Sequence, residues 1–237
     1  MSEQRSQFLK DAHVWFTGIG PGSPDLLTVK AHRLISCADA IFHEGQQVSK
    51  EILALHKDNA ILVNCENIDP HENALHCHSF AQEGKLVARL FTGDPCVFSP
   101  ALEEMDVLQT SATSCAIIPG ISAAFWAAAL AQKSLTPKHT HQAFTIMRVP
   151  ITTPLPQGQS IKDVCLTGAS MALYLANKNP RAIVEECIEA GLAPTAPILL
   201  IESTGNDDES LTWLELRELP DRLAHHKKSQ SLVLIWP

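Results

Sequence analysis

Glycine and proline cluster in three short stretches of this chain that could hold a ligand. The first, GIGPGSPDLLT, places Gly18, Gly20 and Gly22 between an apolar run and a helix-like pattern. The other two are TGDP at 92–95 and PGIS at 119–122. Glycine lets the backbone approach a ligand closely, and a helix N-terminus offers free N–H groups. The stretches therefore indicate loops for a nucleotide-like ligand, although a glycine cluster can also mark only a tight turn.

A dinucleotide is one candidate ligand for the first stretch. Its fingerprint is GxGxxG, followed by an acidic residue after the second strand. Glu44 has roughly the right place for the acid, but Ser23 stands where the third glycine is required. The spacing therefore disfavours an NAD-dependent oxidoreductase.

Composition and the remaining reactive residues exclude several other classes. A net charge of −8 disfavours nucleic-acid binding, and no apolar run approaches the roughly 20 residues of a membrane span. His76, Cys77 and His78 are adjacent, but on a helix they face different directions, so we expect no metal site. The polar start lacks a secretory signal, and the seven cysteines contain no CxxC pair. We therefore expect a cytoplasmic protein with reduced thiols and no membrane partner.

Strand-like and helix-like patterns alternate around the three loops. We predict strands at 13–18, 39–43, 59–64, 85–91 and 115–118, with helices at 25–37, 49–56, 71–83 and 100–109. Such alternation with short connections predicts an α/β fold with a largely parallel sheet. The three loops follow the first, fourth and fifth strands, and ligands bind at the carboxyl ends of strands in such sheets.

The pattern changes after Gly120. We predict helices at 122–132 and 180–190, and strands at 144–148, 170–175, 198–203 and 231–236. This indicates a second domain of mixed α+β type. The predicted organisation is an N-terminal tail at 1–11, an α/β domain at 12–119 and an α+β domain at 120–237, with the ligand cleft between the two domains.

The ordered motifs GIGPGSPDLLT, TGDP and PGIS resemble the tetrapyrrole methylase family, whose pattern is GxGPGxxxLLT, then GDP, then PGxS. The resemblance extends from His13 to the end of the chain. It implies that family's two-domain fold and a methyltransferase that uses S-adenosylmethionine and releases S-adenosylhomocysteine. It also implies a small-molecule tetrapyrrole substrate and a homodimer, with the apolar helix around Phe125 and Trp126 contributing buried surface.

Within the family, three further stretches resemble the branch that methylates the corrin precursor precorrin-4 in cobalamin biosynthesis. They are EGQQVSKEIL at 44–53, LEEMDVL at 102–108 and SLTPKHTHQAFTIMR at 134–148. The departures from that branch are His43 for tyrosine, Glu44 for a small residue, Gln46-Gln47 for Ser-Leu, Phe91 for histidine, Thr152 and Thr153 where an arginine is expected, and Glu202-Ser203 for Tyr-Arg.

Two alternatives therefore stay open. One is methylation of another acceptor, such as another tetrapyrrole, a diphthamide precursor, RNA or a peptide. The other is a non-catalytic paralogue that binds S-adenosylmethionine.

The resemblance also implies site residues. The cofactor residues are Pro21, Gly93, Asp94, Val97, Ser122, Ala123, Leu175 and Leu199. Backbone groups at 93–94 and 122–123 would hold the amino-acid end and the ribose, and the apolar side chains would enclose the adenine. Pro21 lacks an N–H and would belong to a rigid wall beside the cleft. Asp94 has a structural alternative, because Asp-Pro is a turn signal.

Candidate substrate contacts are the basic residues near predicted strand ends. His43 and Arg148 are the main candidates, because a corrin precursor carries many carboxylates. Lys50 and Arg89 are also near strand ends, although Arg89 lies within a strand and can simply reach the surface. No residue is assigned as an acid, base or metal ligand, since methyl transfer depends mainly on positioning.

Overall fold

The structure is a computed structural model that describes residues 3–150, 154–204, 208–224 and 231–237. The chain divides into two compact units, Met1–Ser122 and Ala123–Pro237. Each unit contains its own five-stranded sheet.

The first unit is a parallel α/β layer structure. Its strands are β1 Val14–Gly18, β2 Ala40–His43, β3 Ile61–Asn64, β4 Val87–Phe91 and β5 Cys115–Ile118. Their order is β3-β2-β4-β1-β5, and every pairing is parallel, which confirms the predicted sheet. Its helices are α1 Glu3–Asp11, α2 Val29–Ile35, α3 Lys50–Leu53, α4 Pro70–Gln82 and α5 Ala101–Thr110, with 3-10 turns at Pro24–Leu26 and Gly45–Gln47.

Apolar side chains cover both faces of this sheet. On β1, Trp15 belongs to the core on one face, while Val14 and Phe16 belong to the core on the other. Successive side chains of a strand point to opposite faces, and a parallel sheet between two helical layers needs apolar residues on both. The central strands are therefore buried along their whole length and leave only their ends for a ligand.

The described part of the N-terminal segment differs from the predicted tail. Residues 3–11 form α1, and the ring of Phe8 packs edge-to-face on Trp15 with centroids 5.2 Å apart. Arg5 forms an ion pair with Asp39 at the start of β2. Leu9 also packs against this core, and Arg5 also donates to the carbonyl of Gly84. The helix has few apolar residues, so its pattern is too sparse to reveal it.

The predicted helix at 25–37 is two elements. A 3-10 turn at Pro24–Leu26 precedes α2, and the side chain of Thr28 accepts a hydrogen bond from the N–H of Ala31. Threonine is a favoured N-cap because its oxygen satisfies an N–H that has no carbonyl within the helix. The cap therefore starts α2 four residues later than the apolar spacing predicts.

The second unit has a mixed sheet. Its strands are β6 Phe144–Arg148, β7 Ser170–Tyr174, β8 Pro197–Glu202, β9 Ser210–Glu215 and β10 Ser231–Ile235, in the order β6-β7-β10-β8-β9. Only β6 and β7 pair in parallel, and the other pairings are antiparallel. Its helices are α6 Ala123–Leu130, α7 Ile161–Leu166, α8 Pro180–Glu189 and α9 Leu219–Ala224, with 3-10 turns at Ala176–Lys178 and Leu216–Glu218.

Three elements of this unit escape the sequence analysis. Helices α7 and α9 have six residues each, too few for an apolar periodicity to stand out. Strand β9 lies at the sheet edge, and its partly exposed sequence SLTWLE mixes polar and apolar residues. The mixed α+β character predicted for this half of the chain is confirmed.

Candidate functional site

The three glycine-containing loops of the first unit lie against one another. They follow β1, β4 and β5, which are neighbours in the sheet. Gly20 and Gly93 exchange two backbone hydrogen bonds, with N···O distances of 3.2 and 2.8 Å. A Cβ atom on Gly18 would lie 2.5 Å from the nitrogen of Gly120 and 2.7 Å from the carbonyl oxygen of Gly93. Gly18 therefore has no room for a side chain, because three backbones meet there.

The carboxylate of Asp94 joins two of these loops. Its Oδ1 accepts a hydrogen bond from the N–H of Cys96 at 2.7 Å. Its Oδ2 accepts one from the N–H of Gly120 at 3.0 Å. Both carboxylate oxygens thus contact backbone, which favours the structural role that the sequence left open for this residue.

Gly93 offers space rather than hydrogen-bonding groups. Its N–H and carbonyl both pair with Gly20, so they differ from the free backbone groups that the sequence analysis expects there. Among the described residues, a Cβ atom on Gly93 would meet only the Cα of Ser122, at 3.9 Å. The φ of Gly93 is +74°, which strains any other residue. A side chain here would project into the open volume beside Ser122.

The other cofactor candidates of the first unit are close in the chain to this junction. Pro21 is buried and follows Gly20 directly. Val97 is half-buried, and its N–H donates to the carbonyl of Asp94 at 3.1 Å. Ser122 is buried beside Gly93. The structure thus gathers the first-unit residues of the predicted cofactor site around one set of loops.

In the second unit, the start of α6 is tied to the end of β7. The N–H of Ala124 donates to the hydroxyl of Tyr174 at 3.0 Å, and Tyr174 directly precedes Leu175. Leu175 has a φ of +60°, an uncommon backbone for leucine that marks local strain. Leu199 is fully buried in a core that Ala123 packs against. Ala123 and Leu199 therefore share one core, while Leu175 adjoins the tyrosine that caps α6.

Sequence reasoning did not single out Tyr174 or Gly120. Tyr174 is the only tyrosine of the chain and stands one residue before a candidate, which was an available signal. Gly120 lies in the PGIS motif, but its close contact with Gly18 and Gly93 depends on the strand order. Neither of these contacts can be deduced from spacing along the chain.

His43 lies buried at the carboxyl end of β2. Its Nδ1 has no hydrogen-bond partner among the residues that the structure describes. Burial lowers the pKa of His43, a hydrogen bond with the Gly45 backbone opposes this, and the positive charge of Arg89 lowers it further. His43 is therefore a neutral imidazole near pH 7, suited to hydrogen bonding rather than to pairing with a carboxylate.

Arg89 does not reach the surface, so that expectation is wrong. Its side chain is 1% exposed and forms an ion pair with Glu104. A second ion pair joins Arg89 to Glu44, the residue that replaces a small one in the related pattern. The charge of Arg89 is therefore used inside the first unit.

The remaining substrate candidates are scattered. Lys50 is exposed at the start of α3, and Arg148 is half-buried at the end of the edge strand β6. Among the positions that depart from the related branch, Glu202 is buried and forms an ion pair with Arg222 at 3.1 Å. Thr152 and Thr153 lie outside the described residues.

The adjacent His76, Cys77 and His78 have different surroundings. Cys77 is fully buried, His76 is half-exposed, and Nδ1 of His78 lies 2.6 Å from the hydroxyl of Thr113. Within the described ranges, no three His, Cys, Asp or Glu side chains are grouped to hold a metal ion. None of the helices in the described part of the chain is long and apolar enough to cross a bilayer.

Comparison with known proteins identifies the family. The family model of the tetrapyrrole (corrin/porphyrin) methylases matches residues 13–220. The chain belongs to this family. One curated tetrapyrrole methylase, the cobalt-precorrin-4 C(11)-methyltransferase of Methanocaldococcus jannaschii, is 29% identical over 222 residues, which span 94% of this chain and 86% of that protein.

Solved structures of other tetrapyrrole methylases share the fold. A cobalt precorrin-4 methyltransferase is 27% identical with a TM-score of 0.89, covering 94% of this chain and 93% of that one. The uroporphyrin-III C-methyltransferase of Thermus thermophilus, complexed with S-adenyl homocysteine, is 23% identical with a TM-score of 0.76, covering 94% and 91%. The second likeness supports the fold alone.

Proposed function

We propose that this tetrapyrrole methylase is an S-adenosylmethionine-dependent C-methyltransferase of a precorrin-4-like corrin precursor in cobalamin biosynthesis. The convergence of Gly18, Gly93 and Gly120 at the carboxyl ends of three parallel strands carries the proposal. The relatives named for precorrin-4 support this acceptor, because similarity to them spans nearly the whole chain.

The loops suit the cofactor because they leave space beside Gly93. Bound S-adenosylmethionine supplies a methyl group on a positively charged sulfur. Gly93 keeps a volume free beside Ser122, and Asp94 fixes the turn that borders it. We propose that Ser122 and Ala123 contribute backbone groups, and that Val97 and Leu175 contribute apolar surface for the adenine. Leu199 is fully buried, so its side chain supports the core beside Ala123 instead of contacting the cofactor. Holding two reactants in line lowers the barrier without a covalent or acid–base step.

We propose that His43 and Arg148 bind the substrate. A neutral His43 would hydrogen-bond the acceptor, while Arg148 would pair with one of its carboxylates. Arg89 is excluded from this role because Glu104 and Glu44 already hold its guanidinium.

We further propose a cytoplasmic homodimer. Phe125 on α6 is 51% exposed, and burying such an aromatic ring against a second copy would be favourable. All seven cysteines are free, which suits a reducing compartment. Sedimentation at micromolar concentration should give twice the 25.9 kDa chain mass, and a mass of one chain would contradict the dimer.

The activity is tested by incubating the purified protein with S-adenosylmethionine and cobalt-precorrin-4 and measuring the product by mass spectrometry. The proposal expects a gain of one methyl group and an equal yield of S-adenosylhomocysteine. Uroporphyrinogen III serves as the competing acceptor. Methylation of that acceptor alone would overturn the assigned substrate, and methylation of neither would overturn the activity.

A further inference from the structure

The first unit contains a cavity that the proposed methyl-transfer site does not use. It has a volume of about 270 Å³. Its lining includes three carboxylates, Glu44, Glu66 and Glu104, together with Asn73 and Arg89. None of the residues assigned above to the cofactor or the substrate lines it.

The single guanidinium in the wall is already neutralised. Nε and Nη2 of Arg89 donate to Glu104 at 3.1 and 2.9 Å, and Nη2 also donates to Glu44 Oε1 at 3.0 Å. Nη1 donates to the carbonyl of Leu90, and the guanidinium lies 4.2 Å from the centroid of the Phe91 ring. Burial disfavours its charged form, but the hydrogen bonds to Glu104 outweigh burial, so the pKa of Arg89 is raised and it stays charged.

The wall therefore carries an excess of negative charge. Three carboxylates and one guanidinium line the cavity, and no lysine or histidine of the described ranges does. Burial raises the pKa of the Cys65 thiol in the same wall to about 11, so it adds no charge at neutral pH. The carboxylate of Glu66 folds over Gly45, where it would overlap a Cβ atom. Because Gly45 directly follows Glu44, the Glu66 carboxylate lies beside the backbone next to Glu44.

Asn73 gives the cavity an unused hydrogen-bonding group. The residue is only 2% exposed, and its Oδ1 has no hydrogen-bond partner within the described part of the chain. A buried amide oxygen without a donor is costly, and such groups in folded proteins nearly always have a partner. A ligand with N–H groups would supply the missing donor.

We propose that this cavity binds a small organic cation of the primary ammonium class. Its charge would balance Glu44 and Glu66, and its N–H groups would serve the Asn73 oxygen. A metal ion fits less well, because no group of three His, Cys, Asp or Glu side chains in the described ranges is placed to ligate one. Glu44 replaces a small residue of the related pattern, so the site would distinguish this chain from that branch.

Calorimetry with ethanolammonium tests the site, and tetramethylammonium serves as the control probe. Both carry one positive charge, but only ethanolammonium has N–H donors. The proposal expects saturable binding of ethanolammonium and at least tenfold weaker binding of tetramethylammonium. Equal affinity for the two cations, or no ethanolammonium binding at millimolar concentration, would overturn it.

Two variants locate the binding. Asn73→Leu keeps the branched shape of the side chain and removes the acceptor, and Glu66→Gln removes an exposed charge without touching the core. Each should weaken ethanolammonium binding at least tenfold. Glu72→Gln is the matched control, because Glu72 is an exposed residue of α4 outside the cavity, and it should bind as the wild type does. Unchanged affinity in Glu66→Gln would contradict the site even if Asn73→Leu does not fold. S-adenosylhomocysteine binding by the same variants should be unchanged, which separates this inference from the proposed methyltransferase activity.

Discussion

The carboxylate of Asp94 accepts a hydrogen bond from the N–H of Gly120 at 3.0 Å. This hydrogen bond joins the loop after β4 to the loop after β5. Gly18 lies at the end of β1, the strand between β4 and β5. A Cβ atom added at Gly18 would overlap backbone atoms of both loops. The proposed cofactor site therefore depends on backbone packing that one side chain and three glycines maintain.

Replacing Asp94 by alanine should separate the two loops. It removes acceptors from the N–H groups of Cys96 and Gly120, and hydrogen bonds to a charged group contribute roughly 1.5–3 kcal/mol each. We expect S-adenosylhomocysteine affinity, measured by calorimetry, to fall at least tenfold. Asp94→Asn keeps one acceptor oxygen and should lie between alanine and wild type. Wild-type affinity in Asp94→Ala would show that the contact does not shape the site.

Replacing Gly18 by alanine should strain the same junction. The added Cβ meets backbone atoms of Gly93 and Gly120, and overpacking of this kind costs about 1–3 kcal/mol. Chemical denaturation should show that loss, together with weaker S-adenosylhomocysteine binding. Gly84→Ala is the control, because nothing lies within 4 Å of the added atom, although its φ of +73° also costs stability. If both variants bind the cofactor product equally well, the junction is not part of the site.

Replacing Glu104 by glutamine should be far more damaging than the same change at Glu44. Glu104 is fully buried against Arg89, and removing one partner of a buried ion pair costs about 3–5 kcal/mol. Glu44 is 25% exposed, so Glu44→Gln should cost about 1 kcal/mol or less. Urea denaturation of the two variants measures the difference. Equal losses would mean that Arg89 does not depend on Glu104.

Asp39 should make stability depend on acid pH. Burial alone would raise its pKa, but hydrogen bonds from Arg5, the Leu86 N–H and Lys57 lower it to about 2. Because the folded pKa lies below the unfolded value of about 3.9, the contribution is complete above that value and is lost as pH falls toward 2. A shift of this size corresponds to about 2–3 kcal/mol. Unfolding free energies from pH 6 down to pH 2 should fall less steeply in Asp39→Asn; identical slopes would contradict the assignment.

The sequence predicted the first sheet well because alternation and loop chemistry are local signals. The strand predicted at 115–118 coincides with β5. In the second sheet, the strand predicted at 144–148 likewise coincides with β6. Capping residues such as Thr28 override apolar spacing, which explains the late start of α2. Helix α1 was missed because its sequence is mostly polar, and because Arg5 is held by Asp39, 34 residues further along the chain.

The site was predictable only as a set of loops. Motif order identified the stretches around Gly18, Gly93 and Gly120, but their mutual contacts depend on the strand order β4-β1-β5. Arg89 was misjudged because nothing local indicates that Glu104, fifteen residues later, holds it. Charge partners brought together by folding have no signature in spacing.

Calorimetry with S-adenosylhomocysteine on wild type, Gly93→Leu and Gly158→Leu tests the cofactor site most directly. Gly158 is the control, because its φ of +78° resembles that of Gly93, and no atom of the described residues lies within 4 Å of a Cβ added there. We predict that the wild type and Gly158→Leu bind, and that Gly93→Leu does not, since its side chain fills the volume beside Ser122. No binding by the wild type at millimolar ligand, or wild-type affinity in Gly93→Leu, would contradict the proposed site.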